Sequence, residues 1–195
     1  MLLLALALQV AARDTVRYDI SFPNTVHHEA QVTATWRTRP ATPLIVRMSR
    51  SSPGRYALHE FAKNVYGVSA TDGQGRPLTI TRNDPYQWRV AAGRDGVVKF
   101  TYTLFADRAD GTYSQFDLTH AHMNMPATFA WAVGKDHSPI AVRFHAPEGS
   151  NWKVASQLRP TADPFYYTAV DLQYFMDSPT ELSDYMLRTW TVTGP

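Results

Sequence analysis

Thr15-Val16-Arg17-Tyr18-Asp19-Ile20-Ser21-Phe22 alternates polar and apolar side chains without a break. Successive residues of an extended chain point to opposite faces, so Val16, Tyr18, Ile20 and Phe22 share one side and Arg17, Asp19 and Ser21 the other. That is the pattern of a strand with one dry face and one wet face. The same period returns in Val32-Ala34-Trp36, Leu44-Val46-Met48, Leu78-Ile80, Tyr86-Trp88-Val90, Phe100-Tyr102-Leu104, Phe129-Trp131-Val133 and Ile140-Val142-Phe144, and again from Met186 to Val192. Turn formers separate these runs: Pro23-Asn24, Ser52-Pro53-Gly54, Asp72-Gly73-Gln74-Gly75, Asn83-Asp84-Pro85, Gly93-Arg94-Asp95-Gly96 and Pro147-Glu148-Gly149. Short strands at such spacing predict an all-β protein, an antiparallel β-sandwich with one to three short helical turns. The helical turns are expected at Tyr56 to Val65, with Leu58, Phe61, Ala62 and Val65 on one side, at Asp171 to Met176, and after the capping box Ser178-Pro179-Thr180-Glu181.

The chain has 195 residues, 44% hydrophobic, 12% aromatic and 18% charged. It is long enough to bury roughly 70% of its unfolded surface and too apolar for a disordered chain. Nineteen basic and seventeen acidic residues leave a net charge of +2, which argues against a dedicated nucleic-acid binder. The densest basic run, Arg37, Arg39, Arg47, Arg50 and Arg55, reads as a solvated rim. With no cysteine, disulfides, thiolate metal sites and cysteine nucleophiles are excluded.

Met1 to Ala12 is a leucine-rich run well short of the about 20 residues a membrane-spanning helix needs. It reads as the remnant of an export signal, with Val10 and Ala12 at the small-residue positions before a cut, although no Lys or Arg precedes the leucines. Residues 1–12 are therefore set apart, residues 13–195 are read as a single sandwich domain, and the protein is expected to be exported to the periplasm or beyond, without a membrane span.

Catalytic motifs fail one by one. His59-Glu60-Phe61-Ala62-Lys63 has the start of a zinc-peptidase helix, but Lys63 stands where the second histidine must be, and a protonated ammonium cannot ligate zinc. His120 and His122 share a strand face with no third ligand indicated. Gly67-Val68-Ser69-Ala70-Thr71 lacks the second glycine of a nucleophile elbow. Asp107 and Asp110 lie in polar loop composition, and Gly73-Gln74-Gly75 has no following helix to cradle a phosphate. No catalytic or metal-binding residue and no cofactor is assigned to the chain. Most of the 24 aromatic side chains fall on the inward phase of strands, and Trp36, Trp88, Trp131 and Trp190 are expected in the core. Tyr56, Phe61 and Tyr66, and the group Phe165, Tyr166, Tyr167, Tyr174 and Phe175, lie in or beside loops and are candidates either to cap the core or to cover a neighbouring domain.

Three stretches carry a family resemblance: Tyr18-Asp19-Ile20-Ser21-Phe22-Pro23-Asn24, then Pro53-Gly54-Arg55-Tyr56 followed by Glu60-Phe61-Ala62-Lys63-Asn64-Val65, and Asp177-Ser178-Pro179. In order and spacing they resemble the amino-terminal domain of the glycyl-aminopeptidase family of zinc metallopeptidases, exported enzymes with a thermolysin-like catalytic domain and a PDZ domain. Ser51-Ser52 and Arg55 depart from the family pattern, which commonly has an aromatic residue before the Pro-Gly and a serine after it. The resemblance implies a β-sandwich and a non-catalytic role for this chain, with zinc held in a catalytic domain expected beyond Pro195. It makes that domain the partner, with peptide substrate touched only indirectly. Pro53, Gly54, Tyr56, His59, Glu60 and Phe61 are the residues expected to contact the partner domain or wall the substrate cleft. Two rivals remain: a free-standing periplasmic sandwich that binds peptide or carbohydrate, and a metalloenzyme built on His120 and His122.

Overall fold

A computed structural model describes residues 14–40 and 42–192; the leucine-rich segment 1–12, expected from sequence to be an export-signal remnant, lies outside the described residues. Strand β1 (Val16–Asn24) buries Val16, Tyr18, Ile20 and Phe22 and turns Arg17 and Asp19 to solvent, as its alternation dictates. It pairs antiparallel with β2 (Glu29–Arg37), which pairs with β7 (Val97–Phe105), which carries the edge strand β4 (Val65–Thr71). On the other side of β1 come β11 (Ile140–His145), β14 (Tyr166–Ala169) and β13 (Arg159–Pro160), completing a seven-stranded sheet. One pairing, β1 with β11, is parallel, Val16 opposite Ile140 through Ser21 opposite His145. The other pairings within the sheet are antiparallel.

Two four-stranded sheets face the dry side of this large sheet. One is ordered β10 (Trp131–Ala132), β3 (Leu44–Arg47), β6 (Gln87–Val90), β5 (Ile80–Asp84), and the other β12 (Lys153–Ser156), β15 (Thr180–Ser183), β9 (His120–Met123), β8 (Gln115–Phe116). Trp88 of β6 packs 5.6 Å from Phe100 of β7, and Phe116 of β8 packs 5.4 Å from Phe22 of β1. The layers thus interdigitate as a β-sandwich, and their buried apolar side chains form one cluster.

The chain passes from one small sheet to the other through a single helical turn, α1 (Met125–Thr128), whose four residues are all buried. Burying this irregular stretch would strand its backbone polar groups, and two tyrosines of the large sheet prevent that. The Tyr102 hydroxyl donates to Thr128 O at 2.6 Å and accepts from Ala130 N at 3.0 Å; the Tyr18 hydroxyl donates to Ala130 O at 2.9 Å. Burial pushes both phenols well above their ordinary pKa, so they remain protonated donors. Phe175 of the second short helix, α2 (Leu172–Met176), stacks on Tyr18 at 5.1 Å. The helical turn expected over Asp171 to Met176 forms, and Asp171 caps it, accepting from Tyr174 N at 2.8 Å.

Several sequence expectations need correction. Ser178-Pro179-Thr180-Glu181 opens no helix: the Ser178 hydroxyl donates backward to Tyr174 O at 2.6 Å, closing α2, and Thr180 enters β15 between two partner strands. The phase assumed for Phe129-Trp131-Val133 slips by one residue. Ala130 and Ala132 are buried, whereas Trp131 is half-buried and Val133 exposed, because the chain is changing sheets here. Met186 to Val192 forms no strand, and Trp190 is 81% exposed. The Phe165 to Phe175 aromatics mostly cap the core, with Phe175 and Tyr167 buried and the rest half-buried.

Tyr102→Phe removes both a donor and an acceptor from buried backbone and is expected to cost about 2–3 kcal/mol in urea unfolding, against about 1–2 kcal/mol for Tyr18→Phe. Equal losses for the two variants would contradict this division of labour.

Candidate functional site

The segment from Arg50 to Glu60 is a loop closed at its base, so the first half of the helical turn expected over Tyr56 to Val65 does not form. His59 N donates to Arg50 O at 2.9 Å, and inside that closure Arg55 N donates to Ser52 O at 3.1 Å. Pro53 and Gly54 form the corner between them. Gly54 has φ +72°, a backbone state that side chains with a Cβ seldom adopt, and with proline before it this is the chemistry of a type II turn. The corner diverts the chain, so only a 3-10 turn at Phe61–Asn64 remains of the helical pattern.

One side of the loop is bolted to the interior. Ser52 is buried, and Asn124 Nδ2 donates to its hydroxyl at 3.0 Å and also to Thr112 O. Asn124 N donates to Ser114 Oγ at 3.1 Å, Ser114 Oγ meets Thr128 Oγ1 at 2.7 Å, and Thr128 Oγ1 donates to Asn124 O at 2.9 Å. The network runs from the loop to α1, the segment that the two buried tyrosines hold. Beyond the corner, Arg55 reaches Asp110 O at 3.2 Å. Asp110 is itself fastened by Thr112 N at 2.9 Å, Tyr113 N at 3.0 Å and Arg108 Nε at 2.7 Å. Partial burial alone would raise the Asp110 carboxyl, but the backbone N–H groups of Tyr113 and Thr112 and the Arg108 guanidinium outweigh it and hold its pKa below the ordinary value.

The candidate residues divide by placement. Pro53, Gly54, Tyr56 and Glu60 are exposed, and Tyr56 stands fully out of the surface at 105% relative exposure. His59 is half-buried, its ring stacked 5.2 Å from Phe61 and edge-on to Tyr113 at 5.7 Å, with Nε2 buried and without a protein partner. Phe61 is wholly buried and presents nothing to a partner, which corrects its placement among the contact residues: its ring is the core anchor on which the loop rests. Leu58, assigned from sequence to an inward helical face, is 73% exposed beside Tyr56 instead. The tip therefore offers two large apolar side chains on a braced turn. A cleft of about 620 Å³ opens between Tyr56, His59, Arg108 and Tyr113, and a groove of about 720 Å³ passes the other side, lined by Arg50, Pro53, Trp131 and Leu172 among others.

Among the described residues no group of three or more His, Asp or Glu side chains could hold a metal ion. His122 Nδ1 lies 3.3 Å from Glu181 and His120 Nδ1 3.4 Å from Asp117. No helix among the described residues is long and apolar enough to cross a membrane. Geometrically, then, the molecule is a sandwich with a stiff, apolar-tipped loop.

Comparison with known proteins gives this description a family. The model of the peptidase M61 N-terminal domain matches residues 17–184, and the chain belongs to that family, as the Pro-Gly and Asn-Val stretches suggested. Among solved structures it resembles an aminopeptidase N family protein from Idiomarina loihiensis, with a TM-score of 0.85 and 21% identity over 92% of this chain and 31% of that one. It also resembles a mutant M1 zinc metallopeptidase of Deinococcus radiodurans bound to a Tyr-Ser-Ala substrate, with a TM-score of 0.52 and 11% identity over 87% of this chain and 41% of that one. At such identities the likeness is one of fold, and the chain spans less than half of either relative. A search of curated proteins returned no match.

Asn124→Ala is expected to cost about 2–3 kcal/mol, since it leaves buried Ser52 and Thr112 groups unpaired, and to speed amide exchange at His59. Unchanged exchange there would show that the loop does not depend on this anchor. A depressed carboxyl contributes stability above its unfolded pKa of about 3.9 and loses it as pH falls through the lower folded value. Asp110→Asn is thus expected to flatten the fall of stability below about pH 4, measured by urea unfolding across pH; an unaltered slope would remove Asp110 from the acid response.

Proposed function

We propose that the chain is the non-catalytic amino-terminal module of an exported, glycyl-aminopeptidase-like zinc metallopeptidase. It packs beside the catalytic domain, where zinc is held, and helps shape the cleft through which peptide enters. The observation that carries the reading is the loop tip of a chain belonging to a peptidase-domain family: Tyr56 and Leu58 are exposed on a turn braced from within by Ser52, Asn124 and Phe61. A rigid scaffold that spends buried hydrogen bonds on an apolar-tipped loop has prepared it for contact, because little ordering entropy is left to lose on docking. Covering Leu58 alone is worth about 1.5–3 kcal/mol. Arg55 and the Asp110 turn hold the loop's flank, so the tip meets its neighbour in one orientation. Export is supported by the leucine-rich start of the chain.

In the longer natural chain, replacing Tyr56 and Leu58 together by alanine is expected to weaken domain docking by about 2–4 kcal/mol. The change would be read as faster proteolysis between the domains and a raised KM for peptides, with the melting temperature of residues 1–195 alone unaltered. Unchanged proteolysis and unchanged kinetics would sink the proposal.

A further inference from the structure

The loop has a second face, turned toward β5 and β6. Between them lies a cleft of about 400 Å³ whose rim carries Arg50, Lys63 and Arg82 against a single carboxylate, Glu60. Ala62, Pro85 and Tyr86 complete its lining. The Arg50 guanidinium lies 4.7 Å over the Tyr86 ring and that of Arg82 lies 4.7 Å over Trp88. Stacking fixes the plane of a guanidinium while leaving its N–H edge free to donate. Arg82 commits Nη2 to the carbonyls of Ala62 and Pro85. Arg50, Lys63 and Arg82 have no carboxylate within 4.0 Å among the described residues, as is true of most of the chain's described Lys and Arg side chains, so what marks the cleft is their convergence on one lining.

The walls are as firmly built as the loop. Met48 N donates to Tyr86 O at 3.0 Å, Tyr86 N to Asp84 Oδ1 at 3.1 Å, and Lys63 N to Glu60 O at 3.0 Å, while His59 N holds Arg50 O. Two guanidiniums laid on rings and a lysine on the rim, around an aromatic and aliphatic lining, suit an anion on a short apolar stem. From this geometry we propose that the cleft binds a carboxylate of a peptide, either an acidic side chain or a chain-terminal carboxyl group. Arg50, Lys63 and Arg82 meet its charge, and its methylenes lie on Ala62, Pro85 and Tyr86. Glu60 sets the selectivity, since its charge repels a bare anion that brings no apolar contact. The site does not depend on the docking role of Tyr56 and Leu58.

Amide chemical shifts of the 195-residue chain, followed during titration with three small peptides, test this. The probes are acetyl-Gly-Glu-Gly-amide, acetyl-Gly-Gly-Gly with a free carboxyl terminus, and acetyl-Gly-Gln-Gly-amide. At least one of the first two is expected to shift the Lys63 and Tyr86 amides saturably, the responding peptide naming the source of the carboxylate, while the glutamine peptide leaves them in place. Lys63→Gln and Arg50→Gln are each expected to weaken that binding about tenfold. Lys63 is exposed, so its variant tests charge without disturbing the core. Equal shifts with all three peptides, no shift with any, or affinities indifferent to both substitutions would overturn the proposal.

Discussion

Two phenol hydroxyls at the centre of the sandwich carry more than their number suggests. A sandwich whose second layer is split into two small sheets must route the chain between them through the interior, and the buried stretch from Met125 to Ala130 does so. Tyr18 and Tyr102 complete its hydrogen bonds from the facing sheet. An unmet buried carbonyl or amide costs as much as several methylenes of burial contribute, so the split layer depends on these two groups being neutral and in place. Their burial keeps them neutral. From Thr128 the same constraint spreads through Ser114 and Asn124 to Ser52 and hence to the exposed loop.

Much of this was legible in the amino-acid order. Period-two alternation in β1, β2 and β7 is strong because each of these strands buries one face only. What escaped was settled by contacts distant in sequence. The parallel pairing of β1 with β11 joins residues more than a hundred positions apart and leaves no local trace. Trp131 and Val133 misled because alternation presumes a strand that stays in one sheet, and this one begins where the chain has just crossed. Trp190 misled because an apolar residue was assumed to find a layer to enter. In the loop, Pro53-Gly54 correctly marked a turn. The apolar spacing from Leu58 to Val65 imitated a helix, and only the closure of His59 onto Arg50 separates exposed Leu58 from buried Phe61. Arg50 shows a similar limit, since its basic run reads as solvated rim and only the fold lays it on Tyr86.

Membership of the peptidase M61 N-terminal family and the 0.85 TM-score to an aminopeptidase N family protein agree on the fold. His120 and His122 sit beside Asp117 and Glu181, and Asp110 organises a turn. The Arg50–Glu60 loop is apolar at its tip and basic on its flank. The tip takes its rigidity from the interior network, which links the fold to the proposed role.

Native-state hydrogen exchange at the Ala130 amide tests the central claim most directly, because its acceptor is the Tyr102 hydroxyl oxygen. If the tyrosine clamp holds the split layer together, this amide exchanges only through global unfolding, with the same denaturant dependence as the inner strands β1 and β7. Exchange through a local opening, at far lower free energy than those strands, would show that the crossover moves independently and that the clamp is not what the sandwich depends on.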